Sequence, residues 1–277
     1  MNAEFIFVGT EILLGNLLNT TAQYLSEQCA ALGISCFYQT VVGDNKERIT
    51  ETFQAAWNRS DIVILSGGLG PTEDDLTKET VSESLGIPLV LDQKALDDIR
   101  AFFAKKGYEM PKINEKQAYV PKDSIVLYND NGTAPGVIIE KDEKCAVLLP
   151  GPNRELTAMF DKSVKPYLSK KSDCVIVSKT VKMCGIGEGS VDEKICDLTE
   201  NGTNPTVAPY AKTGEVHVRV TAKAATEKEA SKLIKPVVRE LKNRFGDYIY
   251  FIVSLKNFEE KHITGTKKGN KKYLFIF

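Results

Sequence analysis

The ten residues Ser66–Asp75 read SGGLGPTEDD and follow the apolar run DIVIL at 61–65. Glycines let main-chain N–H groups come close to phosphate oxygens, and the start of a following helix adds a field that favours an anion. Asp74 and Asp75 are adjacent carboxylates, which repel each other unless a cation or a donor compensates. Mg²⁺ commonly binds through one or two carboxylates together with substrate phosphates, so a glycine turn beside an acid pair has the composition of an anion-plus-metal site. A plain strand-to-helix corner is the competing reading, with Thr72 as cap in a Thr-x-x-Asp pattern and the acids at the positive end of the helix dipole. It accounts for one acid better than for two. Neither GxxxxGK[ST] nor GxGxxG occurs in this turn, which excludes a P-loop and the usual dinucleotide fingerprint.

Hydrophobic spacing defines the elements that position this turn. Glu4–Val8 reads as a strand, and Asn19–Leu32 as a helix with Leu18, Ala22, Leu25, Cys29 and Leu32 on one face, Asn19 at its start and Gly33 at its end. Ile34–Val41 is a strand, Lys46–Trp57 a helix and Ile62–Leu65 a strand. Helices Asp75–Leu85 and Gln93–Lys105 follow, separated by a Gly-Ile-Pro break. Gly107–Asp123 has little periodicity, and a long irregular segment of this kind inside a compact domain suits a binding loop. Strands near Ile125–Tyr128, Gly136–Glu140 and Cys145–Leu149 lead into a helix from Asn153 to Leu168. Strands alternating with helices imply right-handed crossovers and a three-layer α/β/α fold on a mainly parallel sheet. Ligands of such sheets sit outside the carboxyl ends of the strands, where four loops fall: Gly9–Asn16, Ser66–Asp75, Asn131–Gly136 and Pro150–Asn153.

Around Ser169–Asp173 the chain turns polar without periodicity and reads as a linker. Beyond it the pattern is strand 174–182, helix 188–198, strands 206–210 and 215–221, and helix 227–244, a smaller α+β domain. EVHVRVT at 215–221 alternates so that one face must be covered, with His217 on the polar face and without a catalytic partner. Thr226 and Glu229 form a capping box, and Pro236 should kink the last helix or weaken a turn of it. These patterns divide the chain into 1–170, 171–250 and a basic tail, 251–277, with six Lys against two Glu, expected to fit no element.

The chain has 277 residues, 42% of them hydrophobic and 26% charged, enough for two domains with a sizeable core in at least one. A net charge of −1 gives no global attraction to nucleic acid or to an acidic membrane, so any anion site is local. Six cysteines without a CxxC pair suit buried thiols in a reducing compartment, and no run approaches the ~18 apolar residues of a membrane span. A cytoplasmic protein is expected. With only His217 and His262, a histidine-based zinc site is excluded, and a metal should be a hard ion held by carboxylates.

GTEILLGN at 9–16 with NTTA at 19–22, SGGLGPTEDDLT at 66–77, NEKQA at 114–118, NGTAPG at 131–136 and LPGP at 149–152, in this order, closely resemble the CinA (competence/damage-inducible) family. The first domain of that family is similar to the molybdopterin-binding fold of molybdenum-cofactor biosynthesis proteins. MCGIGEGSVDE and GEVHVRVTAKA resemble its KH-like domain, and the likeness extends over about residues 1–250. The resemblance implies a homodimeric, divalent-metal-dependent enzyme (Mg²⁺, or Mn²⁺ or Co²⁺) that hydrolyses the diphosphate of ADP-ribose to AMP and ribose 5-phosphate. It implies that Asp74 and Asp75 hold the metal or activate water, and that Gly67, Gly68, Gly70 and Thr72 cradle phosphate. Thr10, Glu11, Asn19, Asn114, Lys116, Thr133 and Gly151 would line the nucleotide and ribose sites, with Lys116 or Lys78 offsetting charge on the diphosphate. The further domain with nicotinamide-nucleotide amidase activity that many members carry has no counterpart here, so that activity is not expected. GIGEG at 185–189 lacks the GxxG of RNA-binding KH modules, so neither nucleic acid nor membrane is expected as a partner. The alternative is a non-catalytic nucleotide- or molybdopterin-binding protein linked to competence or DNA damage.

Overall fold

The structure is a computed structural model that describes residues 1–171, 174–200 and 202–254. The chain forms two units, Met1–Ile176 with Lys223–Ser231, and Val177–Ala222 with the chain from Lys232 onward.

The first unit is built on β1 (Asn2–Val8), α1 (Thr10–Leu13), α2 (Thr20–Ala31), β2 (Ser35–Val42), α3 (Lys46–Arg59), β3 (Ile62–Ser66), α4 (Thr77–Leu85), β4 (Leu89–Leu91), α5 (Gln93–Lys105), β5 (Tyr119–Pro121), β6 (Ile125–Leu127), β7 (Gly136–Lys141), β8 (Lys144–Leu149), α6 (Asn153–Met159) and α7 (Lys165–Lys171). Six strands form one sheet in the order β2-β1-β3-β8-β7-β6, in which β2, β1, β3 and β8 run parallel. The edge formed by β7 and β6 is antiparallel. A two-residue connection at Asp142 and Glu143, both at positive φ, joins β7 to β8, and so short a link can only close a hairpin.

Alternate residues of the central strands enter two cores. Phe5, Phe7, Ile62, Ile64, Val147 and Leu149 meet α2 through Leu25 and Cys29, and meet α6 and the residues after it through Leu156, Phe160 and Leu168. Ile6, Val8, Val63, Leu65 and Leu148 meet α3 and α4 through Ile49, Phe53, Val81 and Leu85. Helices thus cover both sheet faces, as the near-continuous apolar strands require.

Local readings need four corrections. Gly107–Asp123 is not an irregular loop: Lys112–Ala118 is a 3-10 helix and β5 pairs with β4 in a small antiparallel sheet. The helix after the glycine turn starts at Thr77, not Asp75, because Asp75 bonds back to Thr72. Ser169–Lys171 belong to α7 rather than to a linker; 172–173 lie outside the described residues. Phe251–Ser254, read with the tail, end a strand because they pair with Lys179–Lys182; 255–277 lie outside the described residues.

The remaining elements are β9 (Val175–Cys184), α8 (Glu188–Glu200), β10 (Thr206–Lys212), β11 (Glu215–Ala224), α9 (Glu227–Phe245) and β12 (Ile249–Ser254), most of whose residues make up the second unit, with sheet order β10-β11-β9-β12. This is a β-α-β-β-α-β arrangement with the two unit-internal strands β9 and β11 at its centre. Thr226 and Glu229 exchange the two bonds of a capping box, and α9 runs through Pro236 as one element.

Candidate active site

β1 lies between β2 and β3, so the chain leaves it toward one side and later returns on the other. That reversal opens a crevice at the carboxyl ends of the strands. A cleft of about 400 Å³ occupies this place, with Gly9 and Glu11 after β1, Gly67–Thr72 with Asp74 and Asp75 after β3, and Pro150–Pro152 after β8 on its walls. Asp44, Gln117, Thr133, Ala134 and Glu155 complete it. A concavity of similar volume lies at the amino ends of the strands, but its cations are already committed: Arg59 to Glu4, and Lys144 to the carbonyls of Trp57 and Asn58.

The glycine turn owes its shape to close approaches. Gly67 sits at φ 103°, and a Cβ there would stand 2.1 Å from the carbonyl oxygen of Val8, so no other residue lets β3 turn this tightly against β1. At Gly70 a Cβ would stand 2.4 Å from Asp75 Oδ2, so the carboxylate lies directly against the turn. The Thr72 backbone N–H and hydroxyl both donate to Asp75 Oδ2, at 3.0 and 2.5 Å. The cap-like bond of the Thr-x-x-Asp pattern therefore forms without a helix, and it leaves Oδ1 for a ligand. Asp74 is exposed at the cleft.

Lys116 does not point at the ligand space. Its Nζ donates to the carbonyls of Thr72 (2.8 Å) and Asp75 (2.6 Å). Lys78, on α4, is buried and donates to the carbonyls of Lys116 (3.0 Å) and Gln117 (3.3 Å). Burial pushes the Lys78 amine down to about 8, with Glu79 opposing and Lys116 adding to the shift. Asn114 donates to Gln117 Oε1 (2.9 Å), and Gln117 Nε2 donates to the carbonyl of Leu69 (3.4 Å). Lys116 and Gln117 thus stitch the glycine turn to the 3-10 helix, Lys78 ties α4 to the same helix, and Asn114 holds Gln117.

On the other wall, the Thr10 backbone N–H and hydroxyl both donate to Asp44 Oδ2 at 2.8 Å. Asn19 caps α2 by accepting from the backbone N–H of Ala22 (3.1 Å) and does not line the cleft. Of the residues expected at the site, Glu11, Gly67, Gly68, Gly70, Thr72, Asp74, Asp75, Thr133 and Gly151 line the cleft, whereas Thr10, Asn19, Lys78, Asn114 and Lys116 do not. Asp44, Gln117 and Glu155 were missed. Asp44 follows β2 at its carboxyl end, a position visible in the sequence; Glu155, held by Asn129 Nδ2 (2.6 Å), left no local signal.

Five carboxylates, Glu11, Asp44, Asp74, Asp75 and Glu155, line this cleft, and among the described residues its lining holds no Lys, Arg or His. An anion can enter such a space only with a cation to offset the charge. Among the described residues no three His, Cys, Asp or Glu gather as a ready-made metal site. The donor set nonetheless fits a hard ion that takes one or two carboxylates here and completes its shell with substrate and water oxygens.

Comparison with known proteins agrees with this architecture. Residues 4–170 match the family described as "Probable molybdopterin binding domain", and residues 178–250 match "Damage-inducible protein CinA KH domain". A competence-damage inducible protein of Clostridioides difficile (strain 630) is 53% identical over 250 residues, which cover 90% of this chain and 60% of that one. A CinA-like protein of Dictyoglomus turgidum is 50% identical, with 90% and 61% covered. The chain thus spans about three fifths of the length of the curated relatives it matches. A crystal structure of the CinA protein of Thermoplasma acidophilum is 35% identical with a TM-score of 0.55, covering 60% of this chain and 96% of that one. Two family domains in sequence, and relatives of this identity along both, establish that the chain belongs to the CinA family.

Proposed function

We propose that the cleft hydrolyses the diphosphate of ADP-ribose, giving AMP and ribose 5-phosphate. The observation that carries this reading is the meeting of Asp74 and Asp75 with a glycine turn inside an acidic cleft without lining cations. Backbone N–H groups of Gly68 and Gly70 take the diphosphate oxygens, whereas the Gly67 N–H is spent on the Leu149 carbonyl (3.0 Å) and the Thr72 hydroxyl on Asp75, so these two shape the turn rather than grip phosphate. Asp74 and the free Oδ1 of Asp75 would hold a divalent ion, Mg²⁺, Mn²⁺ or Co²⁺. When bound, that ion supplies charge neutralisation and polarisation of a phosphoryl group. One of the two carboxylates orients a water for in-line attack and receives its proton, while the bond from phosphorus to the bridging oxygen breaks and the second phosphate leaves. Lys116 and Lys78 act through the backbone: they fix the turn that carries the acids. Thr10 and Asn114 likewise hold the lining residues Asp44 and Gln117, and Asn19 caps α2.

The protein is read as a cytoplasmic homodimer. Leu13, Leu14, Leu17 and Leu18 beside the cleft are exposed, Leu18 by 81%, an apolar cluster that a second copy would cover. The match to a molybdopterin binding domain supports a second reading, binding of a pterin or nucleotide without turnover. Incubation of the purified protein with ADP-ribose and each metal separates the two: release of AMP supports the diphosphatase, and tight binding without AMP supports the second.

A further inference from the structure

The second unit carries a surface that the diphosphatase reading does not use. Along β11, Val216, Val218, Val220 and Ala222 are buried, so the opposite row, Glu215, His217, Arg219 and Thr221, faces the other side of the sheet. Residues paired directly across antiparallel strands share a face. Tyr210 pairs with His217 and Lys212 with Glu215, which puts both on this side. The Ser178 and Thr221 hydroxyls lie 2.8 Å apart, which sets the row of Ser178, Thr180 and Lys182 on the same side, and Lys182 brings its partner Phe251 with it. Tyr250 joins through its hydroxyl bond to Glu215, which holds that carboxyl below its ordinary range together with His217 (2.7 Å).

Three large aromatic rings are thus displayed on one face of a four-stranded sheet: Tyr210, Phe251 and Tyr250, 45%, 43% and 37% exposed. The Arg219 guanidinium lies 5.2 Å from the Tyr210 ring centre. Glu215 is the single carboxylate in the four strands, and it is engaged by Tyr250 and His217, whereas Lys182, Lys212 and Arg219 keep positive charge on the face. Stacking rings interleaved with cations complement a strand with unstacked bases and a phosphodiester backbone. An acidic protein partner would use the cations and leave the rings without a role.

We propose that this sheet face, on which Ser178 and His217 are buried while Tyr210, Phe251 and Tyr250 are exposed, binds single-stranded nucleic acid, with the three rings as stacking surfaces and Arg219, Lys182 and Lys212 against phosphates. The site is independent of the cleft on the first unit. It revises the expectation drawn from whole-chain charge and from the missing GxxG: charge balance over 277 residues hides a local excess, and GxxG speaks only to a loop-based mode.

The test is fluorescence anisotropy of the full chain with labelled single-stranded RNA and single-stranded DNA of mixed sequence, and with the duplex. Binding to either single strand over the duplex is expected, weakening with salt at a log–log slope of about −2 for three phosphate contacts. Preference for RNA assigns a contact to the 2′-hydroxyl, and equal binding assigns stacking and phosphate contacts alone. Tyr210→Ala should weaken binding about tenfold, within the range of base–aromatic stacking, and Arg219→Ala should weaken it and make the salt slope shallower by about 0.7, each with ADP-ribose turnover unchanged. Photo-cross-linking to the wild-type chain should map to peptides holding Tyr210 or Phe251, a readout that does not depend on the variants folding. No binding at low salt, equal affinity for duplex, cross-links elsewhere, or self-association lost in Tyr210→Ala would overturn the proposal.

Discussion

The ammonium of Lys78 donates to the backbone carbonyl of Lys116, and the ammonium of Lys116 in turn donates to the carbonyls of Thr72 and Asp75. Two lysines in sequence-distant segments therefore act in series on the turn that carries the acid pair. Both would suit a phosphate by type, yet both are spent on main-chain oxygens. Their charge reaches the cleft only as an ordered backbone.

This arrangement has a pH signature. The Lys78 amine titrates in the folded state at about 8, below its ordinary value, so the unfolded chain binds more protons between about 8 and the ordinary lysine value. Stability from this group is present above that window and is lost as pH falls through about 8. Urea unfolding of wild type and Lys78→Met should show the stability difference moving in favour of wild type as pH rises from about 8 to 10. A difference that stays flat would contradict the buried, charged amine.

Gly67→Ala should be severe. The methyl group would meet the Val8 carbonyl at a positive φ, and backbone cannot yield as a flexible side chain does. A loss of about 2 kcal/mol or more in chemical denaturation is expected, together with loss of nucleotide binding. Wild-type stability in this variant would mean that the turn is looser than described.

Asp44→Ala removes the acceptor for both the N–H and the hydroxyl of Thr10. The pair is exposed, so stability should change by less than about 1 kcal/mol, while the loop after β1 loses its anchor. Steady-state kinetics should show the KM for ADP-ribose rising about tenfold or more. An unchanged KM would place this wall outside the substrate site.

Sedimentation should give a dimer, and the double change Leu14→Glu with Leu18→Glu should give a folded monomer, since charges on an apolar contact are left unpaired. Wild-type monomer at micromolar concentration would leave those leucines to another role.

Much of this was legible in the sequence. Runs such as DIVIL announce strands covered on both faces, and the glycine turn announces itself by composition. The antiparallel edge was not, because Glu143 stands at positive φ where a two-residue hairpin usually carries Gly, so the Asp-Gly type of signal is missing. The inward use of Lys116 and Lys78 was hidden too: residue type reveals that a cation is available, whereas its partner 38 positions away is set by tertiary packing. Asn19 illustrates the same limit, since an amide that suits a ribose also suits a helix cap, and the local N–H of Ala22 claims it. Glu155 entered the cleft unannounced because α6 is placed by the core residues Leu156 and Phe160, not by the loop it faces.

The most direct test is AMP release from ADP-ribose by wild type and Asp75→Asn, with Mg²⁺, Mn²⁺ and Co²⁺ each supplied. Asparagine keeps an oxygen for the Thr72 bonds, so the variant should fold, and turnover should fall at least about a hundredfold while wild type releases AMP and ribose 5-phosphate. Undiminished turnover in the folded variant, or none in wild type with any of the three ions, would contradict a diphosphate cleaved between this acid pair and its glycine turn.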